Sequence, residues 1–549
     1  MGTYNYPRYP YRPTPDAHAA TTAEHETLVV GAGPVGLAMA LDLARRGRRV
    51  LVVDDNDTVS IGSRAICWSK RTLEIMDRLG LGERLLAKGV MWKIGRVFFH
   101  DREIYHFDLL PEPGHRMPAF INLQQYYFEE YEVDAAEADP NIEIRWKTKV
   151  TGIEPRADGV RVTLDSPEGP YRIHTQWLIA CDGVRSSIRQ MMGLTFPGRV
   201  FEDRFLITDI VMEADFPSER WFWFEPPFHS GQSVLLHRQA DNVWRVDFEL
   251  GPEADPEEER KPERAIPRLR AMLGEKRAFE IEWTSVYTFQ CRRLERFRHG
   301  RVIFAGDSAH QVSPFGARGG NGGIQDADNL AWKLALVQEG AAPEALLDSY
   351  DFERGLAADE NILHSTRSTE FITPKGPGSH ALRDAVLELA ARFPFARRLV
   401  NSGRLSTPAI YDGSPLNTAD RDAFPTAMRP GSPCCDAPVA FAGSESWLLH
   451  HLGRGFTLLF CPPEGAPPRE RAAEVARQLE GLPVAVAVTT VGAGPDVDLR
   501  DEQGLLTSRY DLRPGTVYLI RPDQHVAARF RRFEPEAVRA AVMRATGRN

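Results

Sequence analysis

The residues best suited to chemistry lie in the segment Arg301–Leu334, where a carboxylate and several glycines follow a short apolar run. Val302–Ala305 predicts a buried strand that ends in Gly306 and Asp307, and a loop with one proline and five glycines leads to a helix predicted from near Gly322. A carboxylate at a strand end can accept hydrogen bonds from a polyol, and a helix N-terminus offers N–H groups and a positive dipole to an anion. Alone, the segment is equally compatible with an ordinary strand–loop–helix connection.

A second glycine turn lies near the N-terminus, in the residues Gly31-Ala32-Gly33-Pro34-Val35-Gly36. The predicted strand Thr27–Val30 precedes it, and a helix to about Arg46 follows. A second predicted strand, Arg49–Val53, ends in Asp54 and Asp55. This order predicts a dinucleotide-binding βαβ unit, because the glycines permit a tight turn beside the pyrophosphate and the acid can bind ribose hydroxyls. The pattern does not distinguish FAD from NAD.

Three further positions are candidates with competing interpretations. Arg64 lies on a loop and can clamp a phosphate, although a solvated surface arginine is the ordinary alternative. Gln124 precedes a predicted helix, where a glutamine is usually solvated. Another buried strand ends in Asp182 and Gly183, and this second acid–glycine turn continues as DGxxSxxR to Arg189.

Length, composition and charge narrow the function classes. The 549 residues exceed what one core organises, so two or three domains are expected. The net charge of −9 without a long basic run argues against a nucleic-acid partner, and no apolar run is long enough for membrane insertion. The six scattered cysteines show no CxxC pair and no zinc spacing, which favours a reducing cytoplasm and no metal site. The Tyr- and Pro-rich residues 1–25 predict a flexible arm, or a segment that wraps the partner subunit of a homodimer.

The segment 205–288 predicts alternating strands rich in aromatic residues, and one face of such a sheet would form an apolar pocket. Most of these aromatics are expected to pack in a core, but Trp223 is a candidate for the pocket. Polar handles are expected at His237, Arg238 and Tyr287. The ordinary pKa of histidine suits proton transfer, although a lone histidine is more often structural.

The chain resembles the single-component FAD-dependent aromatic hydroxylases in three motifs: GxGxxG at Gly31, DG at Asp182 and GD at Gly306, in this order and at these separations. Examples are para-hydroxybenzoate hydroxylase, phenol hydroxylase and pentachlorophenol monooxygenase. The resemblance covers roughly Glu26 to Arg354. It implies that NADPH or NADH reduces FAD, that O₂ adds to it, and that a C4a-hydroperoxyflavin hydroxylates a small phenolic or other electron-rich aromatic substrate, as in aromatic catabolism.

Alternatives within the same fold are hydroxylation of a polycyclic natural product or drug, and a non-hydroxylating FAD oxidoreductase. A flavin-binding protein with only a regulatory or electron-transfer role is a further alternative. Stoichiometric hydroxylated product separates the hydroxylases from the last of these.

The resemblance also implies roles for individual residues. Cofactor contacts are implied for Gly31, Gly33, Pro34, Val35, Gly36, Asp54, Asp55, Arg64, Gln124, Asp182, Gly183, Arg189, Gly306, Asp307, Pro314, Gly319, Gly320, Asn321 and Gly322. Substrate contacts are expected at Trp68, Trp223, His237, Arg238, Tyr287, Pro314 and Phe315. Asp307 would bind the ribityl chain, and the dipole of the following helix would stabilise the anionic reduced flavin.

The sequence departs from the family pattern twice. Ala317 and Arg318 stand where relatives often carry Gly followed by Gln or Ser, so Arg318 either adds positive charge beside the flavin or points to solvent. Ile66 stands where phenol hydroxylase has an Asp that helps to deprotonate the phenol, which leaves the base unassigned. The catalytic candidates are Tyr287, His237 and Arg318.

The predicted fold is α/β: a Rossmann-like FAD-binding domain interleaved with an α+β substrate layer, then a thioredoxin-like C-terminal domain. The predicted parts are an arm (1–25), a discontinuous FAD-binding domain (26–195 and 290–372), a β-sheet substrate domain (196–289), a helical linker (373–430) and the C-terminal domain (431–549). Cys461 lies near a strand end of the last domain without a CxxC partner, which argues against a redox role.

Overall fold

The structure is a computed structural model that describes residues 2–400, 405–465, 467–494 and 496–548. Residues 401–404 of the predicted linker lie outside this described part. The described residues form two compact units. The first draws on Met1–Pro111, Pro118–Ala327 and Ala358–Thr407, and the second on Glu112–Met117, Asp328–Ala357 and Pro408–Asn549.

The secondary structure alternates between strands and helices along most of the chain. The strands are β1 (Ala23–Val30), β2 (Val50–Val53), β3 (Cys67–Ser69), β4 (Val90–Trp92), β5 (Ile94–Phe99), β6 (Arg102–Asp108), β7 (Phe120–Asn122), β8 (Ile142–Arg145), β9 (Lys149–Pro155), β10 (Val160–Ser166), β11 (Gly169–Ala180), β12 (Gly198–Val211), β13 (Arg220–Phe224), β14 (Ser233–Arg238), β15 (Val243–Leu250), β16 (Glu280–Arg293), β17 (Arg298–His299), β18 (Val302–Phe304), β19 (His310–Gln311), β20 (Pro438–Phe441), β21 (Ser444–Trp447), β22 (Phe456–Phe460), β23 (Val486–Gly492), β24 (Leu499–Arg500), β25 (Val517–Ile520) and β26 (Val526–Phe530). The helices are α1 (Pro34–Arg45), α2 (Lys70–Arg78), α3 (Gly82–Lys88), α4 (Gln125–Ala138), α5 (Ser187–Met191), α6 (Pro256–Glu259), α7 (Pro262–Leu273), α8 (Gly319–Gln338), α9 (Asp348–Ile372), α10 (Pro377–Arg392), α11 (Pro394–Val400), α12 (Pro468–Gln478), α13 (Leu505–Tyr510) and α14 (Pro535–Ala545).

The first sheet brings the three motif turns together at the carboxyl ends of its parallel strands. Its strand order is β17-β18-β11-β1-β2-β8, and β18, β11, β1, β2 and β8 run parallel. Val30 pairs with Ala180, and Ala180 pairs with Phe304, so the strands that precede the three motifs end side by side. In an open parallel sheet, ligands bind outside the carboxyl ends of the strands. The α/β fold predicted from the sequence is confirmed.

The second sheet of the first unit has the order β19-β16-β12-β15-β14-β13-β5-β6. It includes β5, β6 and β19, which lie outside the predicted segment 196–289. Residues alternate between its two faces. One face carries the apolar cluster of Leu206, Val234, Trp244 and Phe248, against which α7 packs through Leu269. The opposite face includes Tyr287 and Phe205.

The N-terminal segment that was expected to be a flexible arm packs along the first unit. Tyr4 stacks on Tyr126 with ring centroids 4.1 Å apart. Tyr9 stacks on Trp146 at 4.5 Å. These rings gain burial and stacking energy that a solvated arm would lack, which explains their packing. The strand β1 also begins at Ala23, inside the segment assigned to the arm.

The second unit contains the sheet β21-β20-β24-β23-β22-β25-β26. The strands β22 and β23 pair in parallel around α12, and the antiparallel pair β25–β26 leads into α14. This is the βαβ-then-ββα order expected of a thioredoxin-like domain. Among the described residues, the helices are too short or too polar to cross a membrane.

Candidate active site

Val35 joins the first and last glycine motifs in space. A Cβ atom built on Gly306 would lie 3.0 Å from Cγ2 of Val35, and one on Gly323 would lie 2.5 Å from the same atom. Gly306 has φ +67°, in the left-handed region that favours glycine. Only glycine therefore lets the turn after β18 and the first turn of α8 approach the turn before α1.

The first glycine turn is open where a phosphate would approach. Gly31 has φ +107°, and a Cβ atom there would lie 2.5 Å from the carbonyl oxygen of Cys181. At Gly33, the N-cap of α1 ahead of Pro34, the nearest atom to such a Cβ is Oε1 of Glu129 at 3.9 Å. The space above Gly33 and the helix N-terminus together suit a pyrophosphate.

Asp54 braces this turn from the end of β2. Its Oδ2 accepts a hydrogen bond from the Ala32 N–H at 2.7 Å, and its Oδ1 accepts one from the Asn56 N–H at 2.9 Å. Burial raises the pKa of Asp54. The neighbouring Asp55 is exposed. The structure thus gives Asp54 a bracing contact to the glycine turn in addition to the ribose role that the resemblance implies.

Glu129 on α4 is a candidate that the sequence analysis missed. It is 1% exposed, and its Oε1 accepts hydrogen bonds from Ser60 Oγ and Gln125 Nε2, each at 2.7 Å. Gln125 Oε1 also accepts a hydrogen bond from the Ala65 N–H at 3.1 Å. By contrast, Gln124 is buried and donates to the Ala240 carbonyl at 3.1 Å. Gln125, rather than Gln124, therefore contacts the loop that carries Arg64. The i, i+4 spacing of Gln125 and Glu129 was the available sequence signal.

Arg189 ties the second motif to the third. Its guanidinium donates to the carbonyl oxygens of Ser308 at 2.8 Å and Val184 at 2.9 Å. Asp182 accepts a hydrogen bond from the Ile188 N–H at 3.0 Å, while its Oδ1 is buried without a partner among the described residues. Gly183 has φ +74°, which permits this turn. Arg189 thus positions the two turns, and Asp182 retains an acceptor for a ligand.

Asp307 has the properties expected of a cofactor-binding carboxylate. No donor among the described residues reaches its carboxylate, and Oδ1 would lie 4.0 Å from a Cβ atom on Gly319. Burial raises the pKa of Asp307, and the charge of Asp326 acts in the same direction. A half-buried acceptor without a protein donor among the described residues, at a strand end and beside a helix N-terminus, fits the hydroxyl groups of a ribityl chain.

The loop before α8 is held by Asn321. Its Oδ1 accepts hydrogen bonds from the Ser69 N–H at 2.9 Å and Thr72 Oγ1 at 2.7 Å. Its Nδ2 donates to the carbonyl oxygens of Cys67 at 2.8 Å and Ala317 at 2.7 Å. All four positions of the amide are used by the protein, so the side chain orders the loop rather than binding a cofactor directly.

Arg318 is buried, with 4% of its surface exposed, and its Nη1 donates to Asn361 Oδ1 at 3.3 Å. The alternative in which it points to solvent is therefore excluded. Ala317 has φ +52°, which is strained for a residue with a Cβ atom. A Cβ atom on Gly320 would lie 3.3 Å from Trp68, and one on Gly322 would lie 3.4 Å from His310, so these glycines admit close packing.

Two predicted substrate contacts are instead packed in the protein. Trp68 is completely buried, stacks on Phe128 at 3.9 Å and donates its Nε1–H to the Leu123 carbonyl at 2.9 Å. Phe315 packs edge-to-face against Phe205, with centroids 5.0 Å apart. Pro314, which precedes Phe315 in the chain, is exposed.

The register of the second sheet separates the predicted substrate residues into two groups. Arg220 pairs with His237 and His237 pairs with Arg245, so these side chains share one face. Trp223 pairs with Val234, and Arg238 pairs with Trp244, on the opposite face that packs against α7. The register therefore places His237 on the face that carries Tyr287, and Trp223 and Arg238 on the face that packs against α7.

Tyr287 lies on the same face of the second sheet as His237. It is 45% exposed, yet burial raises its pKa, and the charge of Asp307 acts in the same direction. A partly exposed phenol on this face can exchange a hydrogen bond with a bound ligand.

An ion pair connects this face to the loop of Arg64. Arg245 Nε donates to Asp209 Oδ1 at 2.9 Å, and Arg245 Nη1 donates to the Arg64 carbonyl at 2.8 Å. Ser63 Oγ also contacts both Arg245 and Asp209. The exposed Arg64 has φ +25°, so the pair fixes an unusual backbone and leaves its side chain available.

The family comparison identifies the cofactor that suits this geometry. A family model described as an FAD binding domain matches residues 24–365. The chain belongs to this family. It contains all three motifs, and the open space at Gly33, the acceptor of Asp182 and the carboxylate of Asp307 fit FAD. The resemblance to FAD-dependent aromatic hydroxylases is confirmed.

Full-length relatives support this assignment. The chain is 33% identical over 535 residues to 6-methylpretetramide 4-monooxygenase of Streptomyces rimosus, covering 92% of this chain and 91% of the relative. It is 28% identical over 518 residues to 3-(3-hydroxy-phenyl)propionate/3-hydroxycinnamic acid hydroxylase of Mycolicibacterium smegmatis, covering 91% and 90%. The protein is an FAD-dependent aromatic monooxygenase that uses NAD(P)H and O₂.

Solved structures show the same fold. The flavin-dependent monooxygenase PieE, solved with FAD and substrate, has a TM-score of 0.80 at 23% identity, covering 96% of this chain and 100% of that chain. Aklavinone-11 hydroxylase, solved with FAD and aklavinone, has a TM-score of 0.77 at 24% identity with the same coverage.

Proposed function

We propose that the protein hydroxylates a phenolic ring bound between the motif turns of the first sheet and the Tyr287-bearing face of the second. The observation that carries this proposal is the arrangement of Asp307 and Tyr287. Asp307 has no protein donor among the described residues and follows β18 where the three motifs meet, and Phe315 of the next loop packs against Phe205, the register partner of Tyr287. This arrangement provides a cofactor site and a neighbouring position for an aromatic substrate.

The protein's own contribution is binding, orientation and exclusion of water. The space above Gly33 would take the pyrophosphate, and Asp307 would hold the ribityl hydroxyls. Bound FAD, reduced by NADPH or NADH, supplies the oxygen-transfer chemistry. Tyr287 can orient a phenol by a hydrogen bond, while Phe205 and neighbouring apolar side chains keep water from the ring.

We favour a fused-ring phenol over a single-ring phenol. The face extends from Tyr287 on β16 to Arg220 on β13, across four strand spacings, or about 19 Å. The 33%-identical relative is named for a fused-ring substrate, 6-methylpretetramide. The relatives named for 3-(3-hydroxy-phenyl)propionate make a single-ring phenol the second candidate.

Purified FAD-loaded protein should be tested with matched fused-ring and single-ring phenols and with either nicotinamide. We expect a phenol to accelerate NADPH or NADH oxidation and to yield one hydroxylated product per nicotinamide consumed. Hydrogen peroxide as the only product with every phenol would contradict the proposal. A clear preference for single-ring phenols would contradict only the substrate size.

The cellular setting stays a prediction. Six free cysteines favour a cytoplasmic location. The homodimer rests only on the sequence of the N-terminal segment. Fractionation and sedimentation measurements test these two points separately.

A further inference from the structure

The segment from Ile66 to Trp68, which follows Arg64 and enters β3, offers no acid to ionise a phenol. Ile66 is 5% exposed and has no ionisable group. Burial raises the pKa of Cys67 to about 11, so its thiol stays protonated at neutral pH. The next residue, Trp68, is buried in the stack with Phe128. A base must therefore come from another element.

The face of the second sheet that contacts this segment carries Asp247 on β15, since Cys67 Sγ lies 4.0 Å from His237 Nδ1. Its register partners are Ile207 on β12 and Leu235 on β14. Since residues two apart on a strand share a face, Asp247 lies on the same face as Arg245 and Glu249. Glu249 pairs with Phe205, which pairs with Tyr287. Asp247 thus belongs to the face that borders the proposed substrate cavity.

The carboxylate of Asp247 is available for a ligand. Its Oδ1 is buried and has no hydrogen-bond partner among the described residues. The residue as a whole is only half-buried, so part of it remains accessible. The charges of Asp247, Arg220 and Arg245 all act on the thiol of Cys67, the first residue of β3. Asp247 therefore lies on the sheet face that Cys67 contacts through His237.

Arg220 is the available cation of this cluster. Arg245 is committed to Asp209 and to the Arg64 carbonyl. Arg220 is half-buried and, among the described residues, makes no hydrogen bond or ion pair through its guanidinium. Asp247 and Cys67 act electrostatically on it. A guanidinium in this position can stabilise an anionic oxygen.

The other titratable groups on this face are less suitable bases. Burial, together with Arg220 and Arg245, lowers the pKa of His237 well below its ordinary value, which disfavours the imidazolium. Burial raises the pKa of Glu249 to about 7, but its Oε2 already accepts the Ser233 N–H at 2.8 Å. Burial raises the pKa of Asp247 to about 6. A carboxylate with this pKa is mostly ionised at neutral pH and is basic enough to accept a proton.

We propose that Asp247 is the base that ionises the substrate phenol and that Arg220 holds the resulting phenolate. The phenol O–H bond breaks, an O–H bond forms on the carboxylate, and the negative charge moves to the phenolate oxygen beside Arg220. Ionisation makes the ring more electron-rich and hence more reactive in hydroxylation. This inference rests on the proposed function.

The test compares Asp247→Asn with wild type, and uses Glu249→Gln as a matched control on the same strand. Both FAD-loaded variants should retain the flavin spectrum and circular dichroism of wild type. For a phenol that is un-ionised at pH 7, we expect Asp247→Asn to lose about 100-fold or more in kcat/KM, the usual contribution of a general base. For a nitrophenol that arrives ionised, the variant should keep activity close to wild type.

The pH profile and the binding step give independent measurements. Wild-type kcat/KM for an un-ionised phenol should fall as pH decreases through about 6, because Asp247 becomes protonated, and the variant should lack this limb. Calorimetry in two buffers should show that wild type takes up a proton when it binds 2,4-dinitrophenolate, which is fully ionised at pH 7, whereas Asp247→Asn does not. Glu249→Gln should behave as wild type in both measurements.

Three results would overturn the assignment: a wild-type profile in Asp247→Asn, equal loss with ionised and un-ionised phenols, or unchanged proton uptake. A wild type that hydroxylates no phenol of either class would instead refute the proposed function. The two failures are therefore distinguishable.

Discussion

Replacement of Asp307 tests the cofactor site most directly, because the free protein and the FAD complex should respond in opposite directions. The carboxylate has no protein donor among the described residues, and burial raises its pKa. A carboxyl group with a raised pKa in the folded state destabilises that state at neutral pH, where it must be ionised. Asp307→Asn removes this charge and should raise the melting temperature of the FAD-free protein.

The same change should weaken FAD binding. A hydrogen bond to a charged acceptor contributes about 1.5–3 kcal/mol, so Asp307→Ala should raise the Kd for FAD by about 10- to 150-fold. Asp307→Asn keeps one acceptor oxygen and should show a smaller loss. Flavin fluorescence during titration of the FAD-free protein measures the Kd, and differential scanning calorimetry measures the melting temperature with and without FAD.

Asp158→Asn is the control, because Asp158 is an exposed acid of the same unit whose side chain is 80% accessible. The Asp158→Asn variant should change neither the Kd for FAD nor the melting temperature measurably. If Asp307→Ala binds FAD with wild-type affinity, the carboxylate does not hold the cofactor. If Asp307→Asn lowers the melting temperature of the FAD-free protein, the argument from its buried charge is wrong.

Three further predictions concern other parts of the chain. Cys461→Ser should keep hydroxylation within a few-fold, and lost turnover with intact FAD content would reveal a catalytic thiol. Arg318→Gln should keep FAD but lower coupling or raise the substrate KM, whereas wild-type values and flavin potential would remove its functional role. In the second unit, Glu353 accepts hydrogen bonds from Lys333 at 2.7 Å and Arg521 at 2.6 Å. Burial alone would raise the pKa of Glu353, but these cations hold it low. The ion pairs therefore stabilise the folded state at neutral pH, and this stabilisation is lost only in strong acid. Glu353→Gln should cost about 3–5 kcal/mol in denaturant unfolding at pH 7, and a cost near zero would contradict this view.

The elements that carry the motifs were predictable because their signals are local. The strand ending at Val30, the glycine turn and α1 follow from spacing within a few residues, and β18 ends one residue before its predicted end. The helix α8 begins at Gly319 rather than near Gly322. Asn321 near this start accepts a hydrogen bond from the Ser69 N–H and donates one to the Cys67 carbonyl of the distant β3, and no local pattern contains these contacts.

The faces of the second sheet were not predictable from the same information. Trp221-Phe222-Trp223-Phe224 places aromatic residues on both sides of a strand, so the period of two gives no preference between them. Register with β14 decides that Trp223 packs under α7, while Phe222 lies on the other face, paired with Leu235. Adjacent glutamines create the same ambiguity on α4, where only contacts distinguish Gln124 from Gln125.

The position of a base on β15 has a physical consequence for the loop of Arg64. If one loop carried both the phosphate-binding arginine and the acid that ionises the phenol, any movement of that loop on cofactor binding would also move the acid. Cofactor binding would then disturb proton transfer. Asp247 instead lies on a strand hydrogen-bonded on both sides, next to Arg245, which grips the Arg64 carbonyl at 2.8 Å. The strand therefore fixes the base and braces the loop at once, while the Arg64 side chain stays available to the cofactor. Breaking that grip with Arg245→Lys should thus disturb FAD affinity and phenol ionisation together, unlike Asp247→Asn, which should affect only the latter.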